Sequence, residues 1–151
     1  MWDRLGVPGT TNGWGTALAE ASSPSWTQRA RAGRDLASSA EVPRAAEALL
    51  ELLLDTEDTA VTRQTAEALT RVGTAAAMRL IALAVAEADD DHADWLQTGV
   101  HDALVDPDGG PDVAAVCGKL ARHPEEAVRR GAARVSVWAA DISARTDGDG
   151  L

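Results

Sequence analysis

The chain has 151 residues, a formal net charge of −10 at pH 7 and 45% hydrophobic residues, with one cysteine, five tryptophans and neither phenylalanine nor tyrosine. Such a length supports a single core that buries roughly two thirds of the unfolded surface, and the lone Cys117 cannot form an internal disulfide, so no staple is needed. The acidity opposes binding to nucleic-acid phosphates, no apolar run approaches the roughly 20 residues of a bilayer span, and the start "MWDRLGVPGTTNGWG" lacks the basic and apolar regions of a signal peptide, so a cytoplasmic protein with no membrane segment is expected.

Residues 1–15 read as a Gly- and Thr-rich lead or cap carrying Trp2 and Trp14, residues 16–145 as the helical domain, and residues 146–151, "TDGDGL", as a disordered tail. Ser23-Pro24 reads as a helix start with proline in the first turn. The following "TQRARAGR" carries Arg29, Arg31 and Arg34, three arginines of a solvated or ion-paired helix face. "VPRAAEALLELLLD" is a second, more apolar helix. In "DTAVTRQTAEALTRVG", Val61, Thr65, Ala68, Leu69 and Val72 fall at i, i+4, i+7, i+8 and i+11, one apolar face of a helix with Asp58 as N-cap and Gly73 as stop. Arg63, Glu67 and Arg71 stand four apart, spaced to pair along the opposite face.

"AAAMRLIALAVAEAD" continues the helical series, and "DDDHADWLQTGVHDALV" adds an acidic helix. "VDPDGGPD" is a tight turn whose Gly110-Pro111-Asp112 opens "PDVAAVCGKLARH". There Cys117 shares an apolar stripe with Val113, Val116 and Leu120, the place of a buried structural thiol. His123-Pro124 starts the last helix, "HPEEAVRRGAARVSVWAA". No run alternates with period two, so almost no strand is expected.

The helices repeat. Taking Val61 as anchor, small or apolar residues stand at +4 and +7 after Trp26 (Ala30, Gly33), Val61 (Thr65, Ala68), Leu96 (Val100, Ala103) and Val128 (Ala132, Val135), with anchors 35, 35 and 32 residues apart. A second helical segment fills each interval, so the unit is an antiparallel helix pair. Trp26, as an anchor, and Trp138 are expected in the core or as caps.

"DTEDTAVTRQTAEALTRVG" and "HPEEAVRRGAARVSVWAA" resemble the second helix of HEAT repeats, in particular the short bacterial HEAT-like kind related to phycobilisome lyases. Val61, Ala66, Ala68, Leu69 and Gly73 match that pattern, as do Val128, Arg129, Ala132 and Ala133; the acidic third unit lacks the Val-Arg pair and joins by spacing. The resemblance implies an all-α fold, a short right-handed α-solenoid of HEAT-like antiparallel helix pairs whose second helices line one surface. It says little about activity.

Charge is the main functional signal. From Leu80 to Gly118 there is no Lys or Arg, while Glu87, Asp89, Asp90, Asp91, Asp94, Asp102, Asp106, Asp108 and Asp112 all lie inside. Acids at helix starts complement the helix dipole and keep an alanine-rich chain soluble. They also suit a basic protein partner, since concentrated charge raises association rates by roughly 10- to 1,000-fold. Candidate partner-binding residues are therefore Asp89, Asp90, Asp91, Asp94, Asp102 and Asp106, with Arg63, Glu67, Arg130 and Arg134 on flanking second helices. Trp95 reads either as a binding aromatic beside carboxylates or as filler next to Gly99.

No catalytic residue, metal ligand or cofactor is expected. On one helix, the nine residues from His92 to His101 give roughly 900° of rotation and place the two rings on opposite sides. "DPDGGPD" lacks the terminal glutamate of a calcium loop, and no nucleophile motif or phosphate-cradling glycine loop occurs. The expectation is a non-enzymatic protein-binding module, in its most concrete version an immunity protein or antitoxin that neutralises a basic toxin. The alternatives are a HEAT-like lyase or isomerase acting on a small cofactor in a concave groove, and an adaptor or assembly subunit.

Overall fold

The computed structural model describes residues 15–105 and 112–149, with side chains described as far as Ile142. Among them every regular element is helical, the all-α class that the periodicity predicts. The elements are α1 (residues 15–20), α2 (Trp26–Leu36), α3 (Pro43–Leu53), α4 (Thr59–Val72), α5 (Ala75–Glu87), α6 (Asp90–Leu104), α7 (Val113–Leu120) and α8 (Glu126–Asp149), with a 3-10 turn over Ala37–Ser39. Trp2, Trp14 and Asp106 lie outside the described residues. α8 reaches Asp149, beyond the boundary expected at 145.

Side chains that accept otherwise orphaned backbone N–H groups set most helix starts. Asp58 accepts from Ala60 at 2.8 Å, Thr74 from Ala77 at 3.2 Å, Asp89 from His92 at 2.8 Å and Asp112 from Ala115 at 3.0 Å. α3 begins instead with Pro43, whose missing N–H would have had no partner there. Gly73 closes α4 at φ 65°, a left-handed conformation that any side chain would strain. Pro24 and Pro124 stand ahead of the helices rather than in their first turns, because α2 begins at Trp26 behind the cap Ser25 and α8 at Glu126.

α2, α4 and α6 pack side by side with α4 in the middle, and α3, α5 and α7 form a second set with α5 in the middle. α8 departs from this order. It lies chiefly on α5 and α7 and only lightly on α6. The main core runs through both sets and includes Leu49, Leu53, Leu69, Ile81, Leu96 and Val128, none measurably exposed. Each such large aliphatic side chain contributes about 2 kcal/mol relative to exposure.

One inward pattern recurs in α2, α4, α6 and α8 at i, i+3, i+4 and i+7: Arg29-Ala32-Gly33-Leu36, Thr62-Thr65-Ala66-Leu69, Leu96-Gly99-Val100-Ala103 and Val128-Gly131-Ala132-Val135. All are buried except the half-buried Ala103. A glycine at one of the two middle positions in α2, α6 and α8 lets the neighbouring helix approach closely. A Cβ on Gly33 would overlap the Thr65 side chain, one on Gly99 the Arg63 carbonyl and Ala66, and one on Gly131 the backbone of Ala82.

This pattern corrects the expected register in the first two units. Trp26 is 44% exposed and is no core anchor, while Arg29 takes the inward position one turn later. Val61 is fully buried as expected, but it faces Ala30, Ala32 and Leu52 in a small second cluster, and Thr62 begins the recurring pattern. Leu96 and Val128 hold their expected places. Trp138 is buried, as is Cys117.

Candidate functional site

The inward pattern of α6 dictates what faces out. With Ala93, Leu96, Gly99 and Val100 buried, 100° per residue puts Asp91 and Asp94 on the opposite side of the helix, with Asp90 on one flank and Trp95 on the other. All four are exposed, Trp95 by 40%. Asp90, Asp91 and Asp94 have no ion-pair partner among the described residues. Asp89 precedes them as the N-cap, and its carboxylate is also exposed. The cap and the two first-turn acids complement the positive end of the helix dipole, so part of this charge also stabilises α6.

The other acids and bases singled out in the sequence divide into separate groups. Asp102 faces α4, where its Oδ2 lies 3.7 Å from Nη1 of Arg63. Glu67 pairs with Arg71 at 2.9 Å, so only one of the two i, i+4 pairings expected on α4 forms, and Arg63 reaches across to α6 instead. On α8, Arg130 pairs with Glu126 at 3.1 Å, and the Arg134 guanidinium stacks 5.8 Å from the Trp138 ring centroid. Among the described residues no ion pair joins these α8 arginines to the α6 acids. The structure thus brings Asp89, Asp90, Asp91, Asp94 and Trp95 together, ties Arg63 to Asp102, and leaves Arg130 and Arg134 on their own helix.

His92 and His101 both lie on α6. His92 Nε2 sits 3.4 Å from Oγ1 of the buried Thr62, and no group of three His, Cys, Asp or Glu side chains suited to a metal ion occurs among the described residues. The arginines of α2 do not share one surface face: Arg29 is buried and paired with Asp55, whereas Arg31 pairs with Glu20 at 3.3 Å and Arg34 hydrogen-bonds Gln64 on the exposed side. Burial pushes the Cys117 thiol up from its ordinary 9.0 to about 11, against a hydrogen bond with Ser136 that lowers it, so at neutral pH the sulfur is protonated and poorly nucleophilic.

One feature has no counterpart in the sequence reading. Glu47, Leu50, Glu51 and Leu54 of α3 and its end, with Asp55, Thr56 and Glu87, line an open groove of about 520 Å³. The signal for it was present as Glu-x-x-Leu-Glu-x-x-Leu, a second stripe on α3 behind the one facing the core. It is masked by the longer apolar run in which it sits.

Comparison with family models, with curated proteins and with solved structures gave no match. Among the described residues no helix is long and apolar enough to cross a membrane.

Proposed function

We propose that this chain is a protein-binding module that recognises a basic protein partner through the outward face of α6. The observation that carries this reading is that Asp91 and Asp94 on that face, with Asp90 at one edge of it, are exposed and without ion-pair partners among the described residues, while the exposed Trp95 stands at the other edge one turn from Asp91. Unneutralised carboxylates draw a cationic partner from a distance, and an aromatic beside them provides contact area once it arrives. The chain's net charge of −10 acts in the same direction.

The same reading takes the helix pairs as HEAT-like units of a short solenoid. In its favour are the row of α2, α4 and α6, the second set of α3, α5 and α7, and the recurring inward pattern. The lean of α8 onto α5 makes the last unit a closing one rather than a further repeat. An inhibitor of a basic toxin, that is, an immunity protein or antitoxin, is the most concrete role of this kind.

Association with the native partner, recovered by cross-linking in the source cells, is the test. Replacing Asp89, Asp90, Asp91 and Asp94 together by Asn keeps a capping side chain at position 89 and removes four charges. Surface plasmon resonance should show slower association at low salt, with the difference shrinking in physiological salt, where the screening length is about 8 Å. An unchanged association rate at low salt would make these acids a solvated face only.

A further inference from the structure

We propose that the groove beside α3 is a second docking site, one that takes a cationic, leucine-bearing segment of a protein partner. The core-facing stripe of α3 is Ala45, Leu49, Leu52 and Leu53. Glu47, Leu50, Glu51 and Leu54 recur at i, i+3, i+4 and i+7 on roughly the opposite side. An outward helix face is normally polar, yet this one carries two leucines. They pack at the edge of the main core but stay half-buried, and together with the turn at Asp55-Thr56 and the end of α5 at Glu87 they leave the groove of about 520 Å³.

The charge on its rim is uncompensated. Glu47, Glu51 and Glu87 are exposed and have no ion-pair partner among the described residues, whereas the fourth carboxylate, Asp55, is held by Arg29. An anionic segment would be repelled, a neutral apolar one would crowd three carboxylates without pairing them, and a purely hydrophilic cation would leave Leu50 and Leu54 against water. A leucine- or methionine-sized side chain on the floor, with Lys or Arg on either side, satisfies both parts of the lining. Because the groove is open rather than enclosed, it fits a stretch of chain better than a small molecule, which a pocket normally engulfs.

Glu87 on this rim stands two residues before Asp89, the cap of α6, so the groove and the α6 acids meet at the α5–α6 junction. They share the sign of the partner and none of their residues. Each therefore stands or falls separately.

The test uses a fluorescein-labelled peptide, KKLLKKLLKK, titrated with the full chain and followed by fluorescence anisotropy. A Glu47→Gln, Glu51→Gln, Glu87→Gln variant, with helicity checked by circular dichroism, should bind at least about fivefold more weakly. The serine analogue KKSSKKSSKK should bind the unaltered protein at least about tenfold more weakly than the leucine peptide. An Asp90→Asn, Asp91→Asn, Asp94→Asn variant should stay within about twofold of the unaltered protein. Equal binding by the triple Gln variant, equal binding of the two peptides, or a loss in the Asn variant as large as in the Gln variant overturns the proposal. The last outcome would leave the α6 reading standing, and normal peptide binding beside unaltered partner kinetics for the Asp89, Asp90, Asp91, Asp94 variant would do the reverse.

Discussion

Arg29 and Asp55 form an ion pair inside the fold: Nε of Arg29 lies 3.0 Å from Oδ1 of Asp55, and the two side chains are 8% and 10% exposed. Arg29 Nη1 also donates to the Ser23 carbonyl at 2.9 Å, and Asp55 Oδ2 accepts from the backbone N–H of Glu57 and, at 2.7 Å, of Asp58. A single pair therefore binds the turn before α2, α2 itself and the α3–α4 connection. At the other end of the chain Arg129 repeats part of this clasp, its Nη1 donating at 2.8 Å to the carbonyls of both His123 and Pro124.

Removing Arg29 strands the Asp55 carboxylate where water has little access, and removing Asp55 leaves the buried guanidinium with only the exposed Glu57, 3.4 Å away. Arg29→Met and Asp55→Asn should each destabilise the fold by about 3 kcal/mol, and the double variant by clearly less than the sum. Arg31→Met, which breaks an exposed pair with Glu20, should cost less than about 1 kcal/mol. Urea denaturation of the four variants decides this; an Arg29→Met midpoint no lower than that of Arg31→Met would contradict it.

The clasp also explains where sequence reading succeeded and where it stopped. Local chemistry was visible: Asp58 caps α4, Gly73 stops it, and the 3.6-residue periodicity marks each helix. The burial of Arg29 is not legible, because periodicity treats an arginine as polar and its neutralising partner lies 26 residues further along the chain. Without Arg29, the nearest large apolar residue at the anchor spacing is Trp26. The seating of α8 on α5 was hidden for a similar reason. Gly131 signals that something approaches closely, but only the fold shows that it is Ala82. On the candidate site, the acidity of α6 was plain, whereas the groove needed the side of α3, the end of α5 and a turn to be placed together.

The glycines offer a sharper contrast. Gly131→Ala should destabilise by about 2 kcal/mol or more, because the added Cβ overlaps backbone atoms of Ala82 and backbone yields less readily than a side chain. Gly118→Ala on α7, where a Cβ meets nothing within 4 Å, should stabilise by about 0.5 to 1 kcal/mol through helix propensity. Thermal unfolding followed by circular dichroism should move in opposite directions for the two. A shift in the same direction would mean that α8 is seated differently.

Thr65 Oγ1 is buried without a hydrogen-bond partner among the described residues, against Gly33 on the neighbouring helix. An unpaired buried hydroxyl carries a desolvation penalty of about 1 to 3 kcal/mol. Thr65→Val keeps the shape and removes the penalty, so it should be neutral or stabilising by about 1 kcal/mol in urea denaturation. A loss above about 1 kcal/mol would show that the hydroxyl has a partner in solution.

Cys117 makes stability depend on pH at the alkaline end. Its folded value, about 11, lies above the ordinary 9.0, so the unfolded chain releases the thiol proton first. The contribution is complete below pH 9 and is lost as the pH rises through 11, by roughly 3 kcal/mol in total. Cys117→Ala should flatten this part of the stability profile measured by urea denaturation between pH 8 and about 11. A profile identical to that of the unaltered chain would exclude the thiol as its source.

Trp95 separates contact from attraction on α6. Trp95 is 40% exposed while Leu96 beside it is fully buried, so Trp95→Ala should lower folding stability by about 1 to 2 kcal/mol, less than truncation of a fully buried tryptophan. In complex with a basic partner the same truncation removes desolvated contact, and affinity should fall by about 2 kcal/mol or more, nearly all of it as faster dissociation. The Asp-to-Asn substitutions act in the complementary way, because steering by exposed charge alters encounter rather than escape. Surface plasmon resonance resolves the two rates directly. If Trp95→Ala slowed association and left dissociation unchanged, the ring would lie outside the contact, and the α6 face would serve to attract a partner that binds elsewhere on the chain.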